Sequence, residues 1–220
     1  MDNASLVPGQ DQYSRWSINV KSHWTAAYLW NRFQEYIFRK KNPNSPWLTR
    51  DAIKVISSLI KSSDSVLEFG SGRSTVWFAE RVGKITSVES NGDWYKAVQE
   101  MLKPFASKTN YIFIKETTGW LQEYRNVIDK LPAQSFDLCL VDGGPRALCA
   151  LNSLSKIRSG GYLVIDNVNW FIPSDTKTPS SRKRNEGVNP DFRELYQQLK
   201  SWRVIWTSDG VTDTAIYIKP

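Results

Sequence analysis

Histidine is nearly absent from this chain. His23 is the single one among 220 residues, so the side chain that most readily titrates near neutral pH stands at one place only. Cysteine is scarce too. Cys139 and Cys149 are the two, they form no spaced framework, and they read as reduced, buried residues of a cytoplasmic protein. No apolar run approaches bilayer-spanning length, and MDNASLVPGQ at the start lacks the charged-then-apolar profile of a secretory signal. Two phosphate-binding fingerprints are missing as well. No G-x-x-x-x-G-K-[ST] occurs, and where G-x-G follows an apolar run the third glycine position holds Thr75. There is no internal repeat and no linker long enough to split the chain.

What is present fits one α/β domain with a decorated edge, a length at which a sizeable core can form. Lys and Arg total 29 against 22 Asp and Glu, a net charge of +7. That excess favours anionic partners such as phosphorylated sugars, nucleotides, acidic polymers or membrane surfaces, without choosing among them. Aromatic residues crowd the N-terminal part: Trp16, Trp24, Tyr28, Trp30, Phe33, Tyr36 and Phe38 recur at intervals of three and four. The spacing predicts a helical extension over residues 1–46 that packs on the core, contacts a second subunit, or walls an active site. The main domain is expected over residues 47–220.

That domain is organised around Ser65–Thr75, SVLEFGSGRST. Ser65–Phe69 is a short apolar run of the kind buried on both faces of a parallel sheet. It breaks through Gly70-Ser71-Gly72 into a helical pattern. A strand that turns through glycines into a helix presents free backbone N–H groups, with no Cβ to hold a ligand away. Glu68 lies just ahead of the turn, where a carboxylate suits an ammonium group. Glu89, about 20 residues on at the end of the next strand, suits a ribose diol. S-adenosylmethionine carries both groups.

E-F-G-S-G-R-S-T followed by S-V-E-S resembles the first two motifs of class I S-adenosylmethionine-dependent methyltransferases, and the likeness continues through Phe136–Asp142 and Gly160–Asn167. The resemblance implies a Rossmann-like α/β fold: a seven-stranded, mostly parallel sheet with an antiparallel C-terminal hairpin. It also implies a cofactor cradle of Glu68, Gly70, Ser71, Gly72, Ser74, Glu89, Ser90, Thr118, Gly119, Trp120 and Asp142, with the adenine ring near Thr117–Trp120. Trp120 would stack on that ring or belong to the core. Trp47 and Thr49 would open a helix close to the same cofactor, Thr49 as its N-cap.

Strands are expected at Lys84–Val88, Tyr111–Ile114, Phe136–Val141 and Tyr162–Ile165, with Ser159-Gly160-Gly161 closing the helix before the last of these. Residues 173–190, rich in Pro and Ser and holding Arg182-Lys183-Arg184, read as a mobile loop that is solvated or clamps an anion. Ser208-Asp209-Gly210 suggests the turn of a closing hairpin.

If strands four and five are neighbours, Asp142 and Asp166-Asn167 meet at one sheet edge. Two carboxylates and an amide oxygen make an all-oxygen set suited to Mg²⁺. The set resembles the Asp…Asp-Asn triad of metal-dependent catechol and caffeoyl-CoA O-methyltransferases, in which the metal holds the acceptor hydroxyl and favours its deprotonation. In those enzymes a lysine near the first Asp serves as base, whereas this chain continues Gly143-Gly144-Pro145-Arg146. Arg146 stays protonated, so it binds a substrate carboxylate or phosphate, or pairs with an acid. The base is then His23, Lys177, a metal-bound water or solvent. Asp142, His23 and Arg146 are thus the catalytic candidates, in an O-methyltransferase for a small-molecule or sugar hydroxyl, with Mg²⁺ expected as the assisting metal. The alternatives are a metal-independent methyltransferase acting on another acceptor such as nucleic acid, and a non-catalytic interaction protein. No N-P-P-Y motif for flipped bases and no appended RNA-binding module favours nucleic acid.

Overall fold

A computed structural model describes residues 25–220; His23, Trp16 and Trp24 lie outside them. Seven strands form one sheet in the order β3-β2-β1-β4-β5-β7-β6. They are β1 (Ser65–Phe69), β2 (Lys84–Glu89), β3 (Thr109–Phe113), β4 (Phe136–Val141), β5 (Ile157–Asp166), β6 (Arg203–Ser208) and β7 (Asp213–Ile218). The first five are parallel, and β7 runs antiparallel between β5 and β6. Among the described residues seven α-helices accompany them: α1 (Ala26–Lys41), α2 (Arg50–Leu59), α3 (Arg73–Arg81), α4 (Gly92–Leu102), α5 (Trp120–Lys130), α6 (Arg146–Ser153) and α7 (Arg193–Leu199).

The central strands are mostly apolar because both faces are covered. Alternate residues feed two cores. Leu67, Phe69, Cys139, Val141, Leu163 and Ile165 pack with Tyr124 and Ile128 of α5 and with Cys149 and Ala150 of α6. Val66, Ile85, Leu138, Leu140 and Val164 pack with Ile53 and Ile56 of α2 and Trp77 and Phe78 of α3. Both cysteines are free and buried.

The chain moves outward from β1 to β3 and then returns to β4 beside β1. The carboxyl ends of β1 and β4 therefore flank the point where strand order reverses, the usual place for a ligand crevice in such sheets. Here the two strand-end turns meet backbone to backbone. Asp142 N and Gly143 N both donate to Phe69 O, at 2.9 and 2.8 Å. A Cβ on Gly70, whose φ is +91°, would stand 2.5 Å from Gly143 N. Glycine at position 70 is thus demanded twice, by the left-handed backbone and by the contact.

The structure corrects the expected role of Ser159-Gly160-Gly161. Helix α6 ends at Ser153, and the three residues lie inside β5, where the pairing jumps from Phe136↔Ile157 to Leu138↔Tyr162. Gly160 has φ +75°, and a Cβ on Gly161 would meet Ile157 Cγ2 at 2.7 Å. The glycines form a bulge, which a Gly-Gly pair signals as well as a helix end does.

Helix α1 is fastened to the domain at its C-terminal half. Arg39 bonds Glu35, Pro46 O and Leu48 O, and Phe38 packs on the second core. Trp30, Phe33 and Tyr36 remain exposed. Among the described residues no helix is long and apolar enough to cross a membrane.

The loop over residues 173–190 is tied down. Asp213, fully buried, accepts from Thr178 Oγ1 at 2.5 Å, Thr176 Oγ1 at 2.6 Å and Trp206 Nε1 at 2.9 Å. Arg182 N donates to Asn169 O and Arg182 Nε to Gly187 O, while Arg184 pairs with Asp175. A buried carboxylate needs donors, and this polar loop supplies two of the three; of its four basic residues, Arg182 and Arg184 are spent within it.

Candidate active site

Glu68, next to last in β1, has no exposed surface. Its Oε2 accepts from Thr75 Oγ1 and Ser87 Oγ, each at 2.6 Å. Ser74 also faces this carboxylate, but Oε1 accepts no hydrogen bond. Burial pushes the Glu68 carboxyl up to about 7, since a charge removed from water without full compensation favours its neutral form. Thr75 does double service: the same hydroxyl accepts from Gly72 N at 2.8 Å, which caps the start of α3 and fixes the glycine corner over Glu68. The sequence reading missed Thr75 and Ser87; a Thr three residues into a helix that starts at Gly is the trace it left.

At the end of β2, Glu89 has all four lone-pair positions in use. Oε2 accepts from Ser71 N at 2.9 Å and Ser71 Oγ at 2.8 Å, and Oε1 from Ser90 N and Asn91 N at 2.8 Å each. Ser71 Oγ also meets Tyr111 Oη at 2.6 Å, and Trp94 Nε1 donates to Ser71 O at 2.5 Å. Burial pushes the Tyr111 pKa up, so its hydroxyl stays protonated. Tyr111 and Trp94 were not singled out in the sequence. Trp94 follows three residues after Asn91, whose side chain caps α4 by accepting from Trp94 N at 2.9 Å.

Ser90 Oγ donates to Glu116 at 2.7 Å. Thr118 and Gly119 are exposed in the turn before α5, and Trp120 sits half-buried with its ring edge-on to Tyr124, centroids 5.5 Å apart. Trp47 is exposed, with the Arg73 guanidinium 5.5 Å from its ring centroid, so it borders the glycine corner. Thr49 is buried and caps α2. Its N–H donates to Thr214 Oγ1, which in turn donates to Asp166 Oδ1 at 2.7 Å.

Asp142, Asp166 and Asn167 do converge where β4 and β5 end, and Arg146 lies among them. Its Nη1 donates to Asp166 O at 2.5 Å and Asn167 Oδ1 at 3.0 Å. Its Nη2 donates to Asp142 O at 2.5 Å and Asp142 Oδ1 at 3.1 Å. Asn167 adopts φ +51° and donates from Nδ2 to Thr212 Oγ1, which turns its amide oxygen to the guanidinium. Burial pushes Asp142 up to about 6 despite the pull of Arg146. Burial, and then the charge of Asp142, raises Asp166 well above the usual carboxylate range.

These oxygens do not fit a divalent ion in the present arrangement. The amide oxygen and one Asp142 oxygen are already held by a cation, and one Asp166 oxygen is held by Thr214. A guanidinium already among these oxygens offsets the attraction that one of the two carboxylates would offer a divalent ion. Among the described residues no group of three or more His, Cys, Asp or Glu is arranged to hold a metal.

No family model and no curated protein sequence matches the chain. Solved structures do. A proposed caffeoyl-CoA O-methyltransferase from Staphylococcus aureus shares 18% identity over 96% of this chain and 100% of its own, with a TM-score of 0.53. A proposed O-methyltransferase from Klebsiella pneumoniae shares 16% over 96% of both chains, TM-score 0.55. A methyltransferase-like protein from Silicibacter pomeroyi shares 20% over 80% of this chain and 89% of its own, TM-score 0.53. The fold is that of class I methyltransferases, as the sequence motifs imply.

Proposed function

We propose that this chain is an S-adenosylmethionine-dependent methyltransferase acting on the hydroxyl of a small molecule. The observation that carries the reading is the corner after β1, where a fully buried Glu68 oxygen without a hydrogen-bond partner underlies the turn through Gly70 and Gly72. The fit to the donor is chemical. Glu68 offers one unmatched acceptor oxygen to an ammonium group, and Gly72 puts no side chain between its backbone and the Trp94 ring. Glu89 is full as it stands, so a ribose diol takes the place of the Ser71 hydroxyl on Oε2, leaving Ser71 to Tyr111. Ser90 and the Thr118–Trp120 turn border the adenine side.

Bound there, S-adenosylmethionine supplies a methyl group on a positively charged sulfur. The rest falls to the chain. Asp142, with its side chain 27% exposed at the strand tips, faces the acceptor and takes its proton. Arg146 holds Asp142 in orientation through both its carbonyl and its carboxylate. Positioning of the acceptor oxygen is most of the remaining work. Arg146, Arg182 and Arg184 are all engaged by oxygens of the chain, so these three cations are not presented to a nucleic-acid acceptor. His23 lies outside the described residues and carries no part of the reading.

Calorimetry with S-adenosylhomocysteine tests it. Binding with one site per chain, weakened in Glu89→Ala, is the expected result; no heat at millimolar ligand overturns it.

A further inference from the structure

Arg146 is the first residue of α6, and its side chain turns back across the tips of β4 and β5 instead of outward. Its four terminal N–H groups carry the four bonds to Asp142 O, Asp142 Oδ1, Asp166 O and Asn167 Oδ1. The side chain is 12% exposed, and the Trp170 ring covers it with its centroid 6.0 Å from the guanidinium carbon. A planar fork with fixed donor directions matches two carbonyls and two side-chain oxygens at once. It has no terminal donor left for a substrate anion, so of the two roles open to Arg146 in the sequence, pairing with an acid is the one this geometry supports.

We infer that Arg146 is a resident cation: it takes, on Asp142 and Asn167, the place that the resemblance to catechol-type enzymes gives to a divalent ion, so methyl transfer by this chain proceeds without a metal. The catalytic half of this rests on the methyltransferase reading; the cation assignment does not. The guanidinium differs from an ion in being covalently held and in reaching backbone carbonyls. It therefore fixes the two strand ends and the Asp142 carboxylate at all times. Arg146 is a positioning residue in this scheme, acting through Asp142.

The experiment is a Mn²⁺ titration of the full chain followed by electron paramagnetic resonance, with S-adenosylhomocysteine calorimetry on the same samples. Wild type is expected to leave Mn²⁺ in solution up to millimolar concentration, with ligand binding unchanged by EDTA. Arg146→Ala uncovers the oxygens and is expected to bind Mn²⁺ roughly tenfold tighter or more, a gain abolished by adding Asp166→Asn. One equivalent of Mn²⁺ bound by wild type at micromolar concentration and lost in Asp142→Asn overturns the inference. So does a folded Arg146→Ala that gains no Mn²⁺. If Arg146→Ala does not fold, the comparison of wild type with Asp142→Asn decides alone. Loss of S-adenosylhomocysteine binding with Mn²⁺ still free sinks the methyltransferase reading and leaves the resident cation standing.

Discussion

The pH dependence of stability isolates Glu68. Its folded-state pKa of about 7 lies above the ordinary 4.5 because of burial. A carboxyl raised on folding contributes stability that is complete below the unfolded pKa and is lost as pH rises through the folded one, so the window runs from 4.5 to 7. Linkage at about 1.4 kcal/mol per unit gives a loss of roughly 2–3 kcal/mol between about pH 5 and 8. Asp142 and Asp166 shift in the same direction, so the wild-type slope alone does not identify the group. Glu68→Gln does. The amide keeps an acceptor for Thr75 and Ser87 and carries no charge at any pH. Urea denaturation of both proteins at about pH 5 and pH 8 is the assay. At low pH the two are expected to be close. At high pH the variant is expected to be more stable by about 2–3 kcal/mol. Equal slopes in the two proteins would refute the reasoning, and so would a variant that is weaker at both pH values by the same amount.

Three further outcomes are expected. Gly70→Ala places a Cβ 2.5 Å from Gly143 N on a backbone with φ +91°; it costs at least about 3 kcal/mol in urea denaturation, and a near-wild-type midpoint contradicts the close approach of the two turns. Asp213→Ala removes the acceptor shared by Thr176, Thr178 and Trp206. It lowers stability by about 3 kcal/mol and opens the chain between residues 173 and 190 to limited proteolysis, whereas an unchanged digestion pattern means the loop is held by something else. Ser71→Ala keeps or improves S-adenosylhomocysteine affinity by calorimetry, because the displaced hydroxyl no longer competes for Glu89. Glu89→Ala weakens it about tenfold or more, near 1.4 kcal/mol. Equal losses in the two variants rule out the exchange of hydroxyls on Glu89.

Much of the fold was legible along the chain. β1 and β4 were expected at Ser65–Phe69 and Phe136–Val141, and the structure has them there, since central parallel strands are short apolar runs with few competitors. The bulge in β5 was misread because Gly160-Gly161 satisfies two local grammars, and pairing with β4 and β7 selects between them. The loop at 173–190 looked mobile because its polar composition is local, whereas the buried carboxylate that binds it, Asp213, lies beyond it in β7.

By itself the sequence determined the corner: two glycines after a buried strand, an acid before them and an acid at the end of the next strand, because each of these answers to backbone geometry within a few residues. That Asp142 and Asp166-Asn167 share one sheet edge was implied only through the resemblance to class I methyltransferases, and it is the strand order of the folded sheet that puts β4 beside β5. What lies among those oxygens was decided in three dimensions. Arg146 was visible as a charge four residues past Asp142, but whether its guanidinium faces a substrate or turns inward depends on where the α6 N-terminus meets the β5 tip, and on the left-handed Asn167 that aims an amide oxygen at it. Direction of a long side chain is a property of the packed tips, not of the residue string.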